Sequence, residues 1–311
     1  MNQDRRNEDG EYHRPVLVDE VAELLAPVMP GVVIDATFGG GGHSRRLLDE
    51  FGADVTVVGI DRDPEAVERA RELGVIAVQG NFAHLEDLSD RYLDQAPAGI
   101  LFDFGVSSRQ LDEASRGFSY RKDGPLDMRM GPDAAYTAAE IVNDWDERDL
   151  VRIIRDYGEE PLARRLAAAI VNGRPFNSTA QLSTVIAQAM PAARRRAGHP
   201  ARRTFQAIRI AVNGELDAVR SGVDQAVDMI RPGGRVVAIS YHSLEDRIVK
   251  QRFVAGAVGC TCPPDLPVCG CDTTAELRLL TRKPIRASAD EVESNNRARS
   301  AVLRAAQRLA A

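Results

Sequence analysis

The sequence predicts an α/β fold: a doubly wound, mostly parallel sheet with helices on both faces, interrupted by a helical insertion. Three observations predict it. Short β-branched runs, apolar on both faces, alternate with amphipathic stretches, which is how buried parallel strands joined by helices read. The first run ends in an acid and a glycine stretch, Asp35 to Gly42, where such sheets bind ligands. Between Gln110 and about Arg203 helical periodicity continues without a convincing strand.

Each element follows in order. Val18 to Leu25 reads as a short amphipathic helix. Val32 to Ile34 is a strand ending at Asp35, and after the glycines Ser44 to Glu50 is helical. Val55 to Ile60 is a second strand, again ending at an acid, Asp61. Pro64 fits the first turn of a helix over Glu65 to Leu73. Val75 to Val78 and Gly99 to Phe102 are two more strands. In the insertion, Thr137 with Glu140 and Ser178 with Gln181 form capping-box patterns. Leu150, Ile153, Ile154 and Tyr157 repeat at helical spacing, as do Leu182, Val185, Ile186 and Ala189. A single long helix is expected from about Thr204 to Ile230. Arg231 to Gly234 is a turn and Arg235 to Ser240 a strand. Leu277 to Leu280 and Ser300 to Leu303 read as last strands, with a helix through Ala305 and Ala306 as the competing reading. The expected core is therefore residues 1–110 and 204–311, with residues 111–203 as the insertion.

Composition narrows the function. With 44% hydrophobic and 28% charged residues in 311, the chain is not a disordered one. No apolar run approaches the ~18 residues of a membrane helix. The polar stretch Met1 to Tyr12 does not read as a secretory signal, so the cytoplasm is the expected setting. The net charge is −6, but Pro161 to Arg220 holds ten Arg and no Lys against two acids. A basic segment on an acidic body points to a localised polyanion contact, with a solvated helical face as the alternative.

The richest motif is Val32-Val-Ile-Asp-Ala-Thr-Phe-Gly-Gly-Gly-Gly-His43. Its glycines let a ligand approach the backbone. The dinucleotide pattern G-x-G-x-x-G is broken at Ser44. Asp35 before the glycines suits a cationic, phosphate-free ligand such as S-adenosylmethionine. Asp61, at the next strand end, is placed to accept from ribose hydroxyls.

Further motifs occur in order: Asp103-Phe-Gly-Val-Ser-Ser108, Gly117-Phe-Ser119, Asp123-Gly-Pro-Leu-Asp-Met-Arg129, Arg203-Thr-Phe-Gln-Ala-Ile-Arg209, Asn213 and Tyr241-His-Ser-Leu-Glu-Asp-Arg247. Together with the glycine motif they resemble the RsmH (MraW) family of 16S ribosomal RNA cytosine-N4 methyltransferases, over nearly the whole chain. The resemblance implies a class I, Rossmann-like S-adenosylmethionine-dependent methyltransferase sheet with a helical insertion. It implies a cytidine in the decoding centre of the small subunit as substrate. Carried over by motif, Gly41, Gly42 and His43 line the methionine end of the cofactor, Asp61 holds the ribose, Phe82 contacts the adenine, and Asp103 and Gln110 complete the pocket. Two positions depart from the family: Gly40 stands where many relatives have Arg, and Tyr241 where Phe is more usual.

The cytosine amine is a poor nucleophile, so a proton acceptor beside it helps. Asp103 or a neighbouring backbone carbonyl is the expected acceptor, with His242 second; a helix-start hydrogen bond is the alternative role for His242. RNA binding is expected from the insertion and its edge, through Arg194, Arg195, Arg196, Arg202, Arg203 and Arg209, because the guanidinium fork suits phosphate. The expected partner is 16S RNA in the small ribosomal subunit, with no membrane; a homodimer is left open. Cys260, Cys262, Cys269 and Cys271 could hold a structural zinc, or be four reduced thiols in a surface loop. Three other functions stay open: a methyltransferase with the same cofactor but a protein or small-molecule acceptor, against which the basic insertion argues; a nicotinamide-dependent oxidoreductase, against which Asp35 and the broken glycine pattern argue; and a catalytically silent RNA-binding factor.

Overall fold

The computed structural model describes residues 15–195, 198–259 and 274–310. The chain divides into two compact units. One runs to Gly105 and resumes at Leu216; the other is Val106–Glu215.

The first unit opens with helix α1 (Val18–Leu25), strand β1 (Gly31–Asp35) and helix α2 (Gly42–Phe51). Strand β2 (Val55–Asp61), helix α3 (Pro64–Glu72), strand β3 (Ile76–Gln79), helix α4 (Leu85–Ser89) and strand β4 (Gly99–Asp103) follow. Asp63 caps α3, accepting from the Glu65 amide, and Pro64 starts it. After the second unit come helix α12 (Glu215–Met229), strand β5 (Arg235–Ser240), helix α13 (Ser243–Ala257), strands β6 (Leu277–Leu279) and β7 (Ile285–Arg286), helix α14 (Ala289–Ser294) and strand β8 (Val302–Arg308).

The strands lie in the order β3-β2-β1-β4-β5-β8-β6, with β7 also paired to β8. β1 to β5 are parallel; β8 runs antiparallel to β5, with Ala238 opposite Arg304. The order reverses between β1 and β4, so the strand ends there form a switch point. Both faces are buried, which explains the unalternating apolar runs. On one face Val33, Leu101, Val237 and Leu303 join the α1 side chains Val21 and Leu25. On the other Ile34, Ile100, Phe102 and Val236 join Val223 and Val227 of α12. The predicted class I sheet with a helical insertion is therefore observed.

The second unit is helical among its described residues: α5 (Ser108–Asp112), α6 (Ala138–Asp144), α7 (Glu147–Asp156), α8 (Ala163–Asn172), α9 (Thr179–Ala189), α10 (Ala192–Arg195) and α11 (Arg202–Asn213). Its own core includes Leu150, Ile153, Ile154, Leu166, Leu182, Ile186, Phe205 and Ile208. The capping box at Thr137 and Glu140 closes on both sides. At the second box Ser178 caps the Gln181 amide, but the Gln181 side chain accepts from Asn177 instead.

Two expectations are corrected. The long helix over 204–230 is two helices broken at Gly214, which sits at φ 60 with open space around it. Residues up to Glu215 therefore belong to the second unit rather than to the core. Ala305 and Ala306 lie in β8, so the competing helix does not form. Among the described residues no helix is long and apolar enough to cross a membrane.

Candidate functional site

The site is built at the carboxyl ends of β1, β2 and β4. Asp35 ends β1 at 1% exposure. Its oxygens accept from the Ser44 hydroxyl at 2.7 Å and the Thr37 amide at 3.4 Å. Burial holds this carboxyl above the usual carboxylate range, against the pull of His43. Asp35 thus anchors the glycine turn to α2. Thr37 ties the turn to β4, its hydroxyl accepting from the Asp103 amide at 2.6 Å.

The glycines have distinct reasons. Gly41 sits at φ 76, and a Cβ there would meet the Phe38 ring at 2.5 Å. Gly59 on β2 faces the same ring at 2.6 Å. Phe38 therefore slots between turn and sheet because both flanking positions lack side chains. A Cβ on Gly42 would crowd Pro15 at 2.9 Å, whereas Gly40 has nothing within 4 Å. Asp61 fixes the far side: its oxygens accept from the Gly39 amide at 2.7 Å and the Asp63 amide at 2.9 Å. Arg69 of α3 donates to the Gly39 carbonyl. Burial pushes the Asp61 carboxyl up to about 6.

His43, in the first turn of α2, points the other way along this edge. Its Nε2 lies 3.5 Å from Asp103 Oδ2. Both ring nitrogens are buried without a hydrogen-bond partner. Burial pulls the imidazole down, but Asp103, Asp35 and Glu291 more than reverse this, so the group shifts upward. Asp103 Oδ1 accepts from the Tyr241 hydroxyl at 2.8 Å. Beside β4, Phe82 joins Phe102 and Phe104 at 5.7 Å between centroids, half-buried with a glycine, Gly222, making room behind it.

The chain matches the model of the MraW methylase family over residues 10–309. It is 50% identical to "Ribosomal RNA small subunit methyltransferase H" of Symbiobacterium thermophilum, covering 96% of this chain and 98% of that protein. The protein of the same name from Heliobacterium mobile is 49% identical, covering 96% and 99%. The chain belongs to the MraW methylase family. Among solved structures, an rRNA methylase from Streptococcus thermophilus aligns at TM-score 0.42 and 11% identity, covering 96% of this chain and 99% of that one. The MraW methylases use S-adenosylmethionine, and the residues present fit it. The open turn at Gly40, the two orphaned nitrogens of His43, the carboxylates of Asp61 and Asp103 and the Phe82 ring offer partners for its charged, ribose and adenine parts.

Gln110 lies in the second unit at the third position of α5, where its side chain closes a capping box with Ser107. His242 caps α13, its Nδ1 accepting from the Glu245 amide, with Nε2 3.1 Å from the Glu245 carboxylate. The structure thus gives His242 the helix-start role. In the second unit, Arg194 and Arg203 lie 3.3 and 3.7 Å from Glu160, which is 3% exposed, and Arg202 is exposed. Arg195 ends α10 and Arg196 lies outside the described residues. Arg209 departs from the expected basic surface. It is 17% exposed and forks onto Glu215 at 2.8 and 2.7 Å, so its charge is already matched. Cys260, Cys262, Cys269 and Cys271 all lie outside the described residues.

Sequence reasoning missed Phe38, Thr37, Ser44 and Arg69. Each lies beside or within reach of the glycine motif, and Phe38 was readable from the paired glycines that frame it.

Proposed function

We propose that this MraW methylase transfers a methyl group to N4 of a cytidine in the decoding centre of 16S ribosomal RNA. What carries the reading is near full-length identity of about half with relatives named for small-subunit ribosomal RNA methylation. The site supplies a chemistry that suits an amine.

S-adenosylmethionine, when bound, supplies an electrophilic methyl on a sulfonium. Asp61 accepts from the ribose hydroxyls with the lone pairs its two backbone amides leave open. The turn at Gly41, Gly42 and His43 holds the methionine end, and Phe82 offers an apolar face to the adenine. Asp103 accepts a proton from the cytosine amine as that nitrogen gains the methyl. Holding the reacting groups in line is the larger part of the acceleration. The exposed guanidinium groups of Arg194, Arg202 and Arg203 meet RNA phosphates, and the buried Glu160 carboxylate holds two of them in place. The base must be unstacked or presented by folded RNA to reach the turn.

The decisive experiment incubates the protein and labelled S-adenosylmethionine with small subunits lacking the modification. Label in N4-methylcytidine is expected by nucleoside mass spectrometry; label in another nucleoside rejects the reading. Asp103→Asn is expected to retain the fold by circular dichroism and lose at least 100-fold in transfer rate, the scale of one acid–base group. Full turnover by that variant removes Asp103 as acceptor.

A further inference from the structure

We infer that Tyr241 is a positioning residue for Asp103, a restraint that a Phe at this position would lack. The hydroxyl of Tyr241 donates to Asp103 Oδ1 at 2.8 Å, and the tyrosine is half-buried, packed against the apolar core. Its ring is seated by Gly105, where a Cβ would stand 3.3 Å from Tyr241 Cδ2, and Gly105 itself holds φ 102. The Tyr241 amide donates to Glu245 Oε2 at 2.8 Å, so the backbone behind the ring is tied to α13.

The consequence falls on the other oxygen. Asp103 Oδ2 lies 3.5 Å from His43 Nε2, at ion-pair distance but without a hydrogen bond. A carboxylate free to rotate about χ2 would close that gap onto the buried imidazole and spend both oxygens on protein groups. Tyr241 holds one oxygen and thereby keeps the second turned to the strand edge, where a ligand cation or amine can reach it. The charged and titratable groups around the pair are Asp35 on β1, His43 on α2, Glu291 on α14, Glu245 on α13 and Arg297 beyond α14. They are common to both variants below, so a difference between variants reports the Tyr241 hydroxyl.

The inference rests on the assignment of Asp103 to the cofactor pocket. Two readouts test it on the full-length protein: S-adenosylmethionine binding by calorimetry, and the titration of 15N-labelled His43 by NMR without cofactor. Tyr241→Phe is expected to weaken binding five- to tenfold and to raise the His43 midpoint by half a pH unit or more, with the unfolding midpoint within a few degrees. Unchanged affinity or an unchanged His43 midpoint overturns the inference. Asp103→Ala separates the two levels. If that variant binds the cofactor as the wild type does, the pocket assignment fails. If it binds weakly while Tyr241→Phe binds normally, only the positioning role fails.

Discussion

Asp61 shows how one carboxylate couples binding to acidity. Burial raises it from its ordinary value near 3.8 to about 6, with the Asp63 and Gly39 amides pulling the other way. The ionised form is the better acceptor for ribose hydroxyls. Cofactor affinity is therefore expected to be full above pH 6 and to fall as pH drops through that value. Asp61→Asn, followed by calorimetry across pH 5 to 8, is expected to bind weakly throughout and to lose the acid limb; a retained limb places the titration on another group. For stability the sign is opposite. A raised carboxyl favours the fold when protonated, and that contribution is lost as pH rises through about 6, on the order of 3 kcal/mol for a displacement of this size. The glycines give a second residue-scale expectation. Gly41→Ala is expected to lower stability by about 2 kcal/mol, through its left-handed backbone and the Phe38 ring. Gly40→Ala, with open space at its Cβ, is expected to stay within about 0.5 kcal/mol of wild type in denaturant titrations.

At the scale of elements, β8 and α13 are joined by Arg304. Its guanidinium, in a strand with both neighbours paired, forks onto Asp246 at 2.6 and 3.0 Å. Arg304→Ala is expected to cost about 2–3 kcal/mol in chemical unfolding, because it strands a carboxylate in a partly buried place; a loss under half that value makes the fork incidental. The strands at the core were legible because parallel strands buried on both faces leave uninterrupted apolar runs. Val55–Asp61 and Arg235–Ser240 carry that signature to within a residue. The helix break at Gly214 was not legible from periodicity, since Val212, Leu216 and Val219 keep helical spacing across it. Only the left-handed glycine separates the two axes. The β7 pairing escaped notice because two residues are too few to show a period. In the site, the residues on strand ends were legible from position alone. The hydroxyl of Tyr241 was visible but without assigned use, because its partner lies 138 residues away.

At the scale of the whole molecule, the second unit carries its own apolar core and its own capped helices. Expressed alone, residues 106–215 are expected to unfold cooperatively and to bind small-subunit RNA with an affinity that falls steeply with salt. Replacing Arg194 and Arg203 by Ala in the full protein is expected to flatten that slope; an unchanged slope moves the phosphate contacts elsewhere. The first unit has a different property. β8 is the most C-terminal strand described, yet it sits inside the sheet, between β5 and β6. Until it arrives, β5 is an open edge and neither β6 nor β7 has its partner. The sheet therefore stays incomplete until β8 joins it, and Asp246 meets Arg304 only then. Loss of β8 alone would open the flank of β5 and release β6 and β7 together.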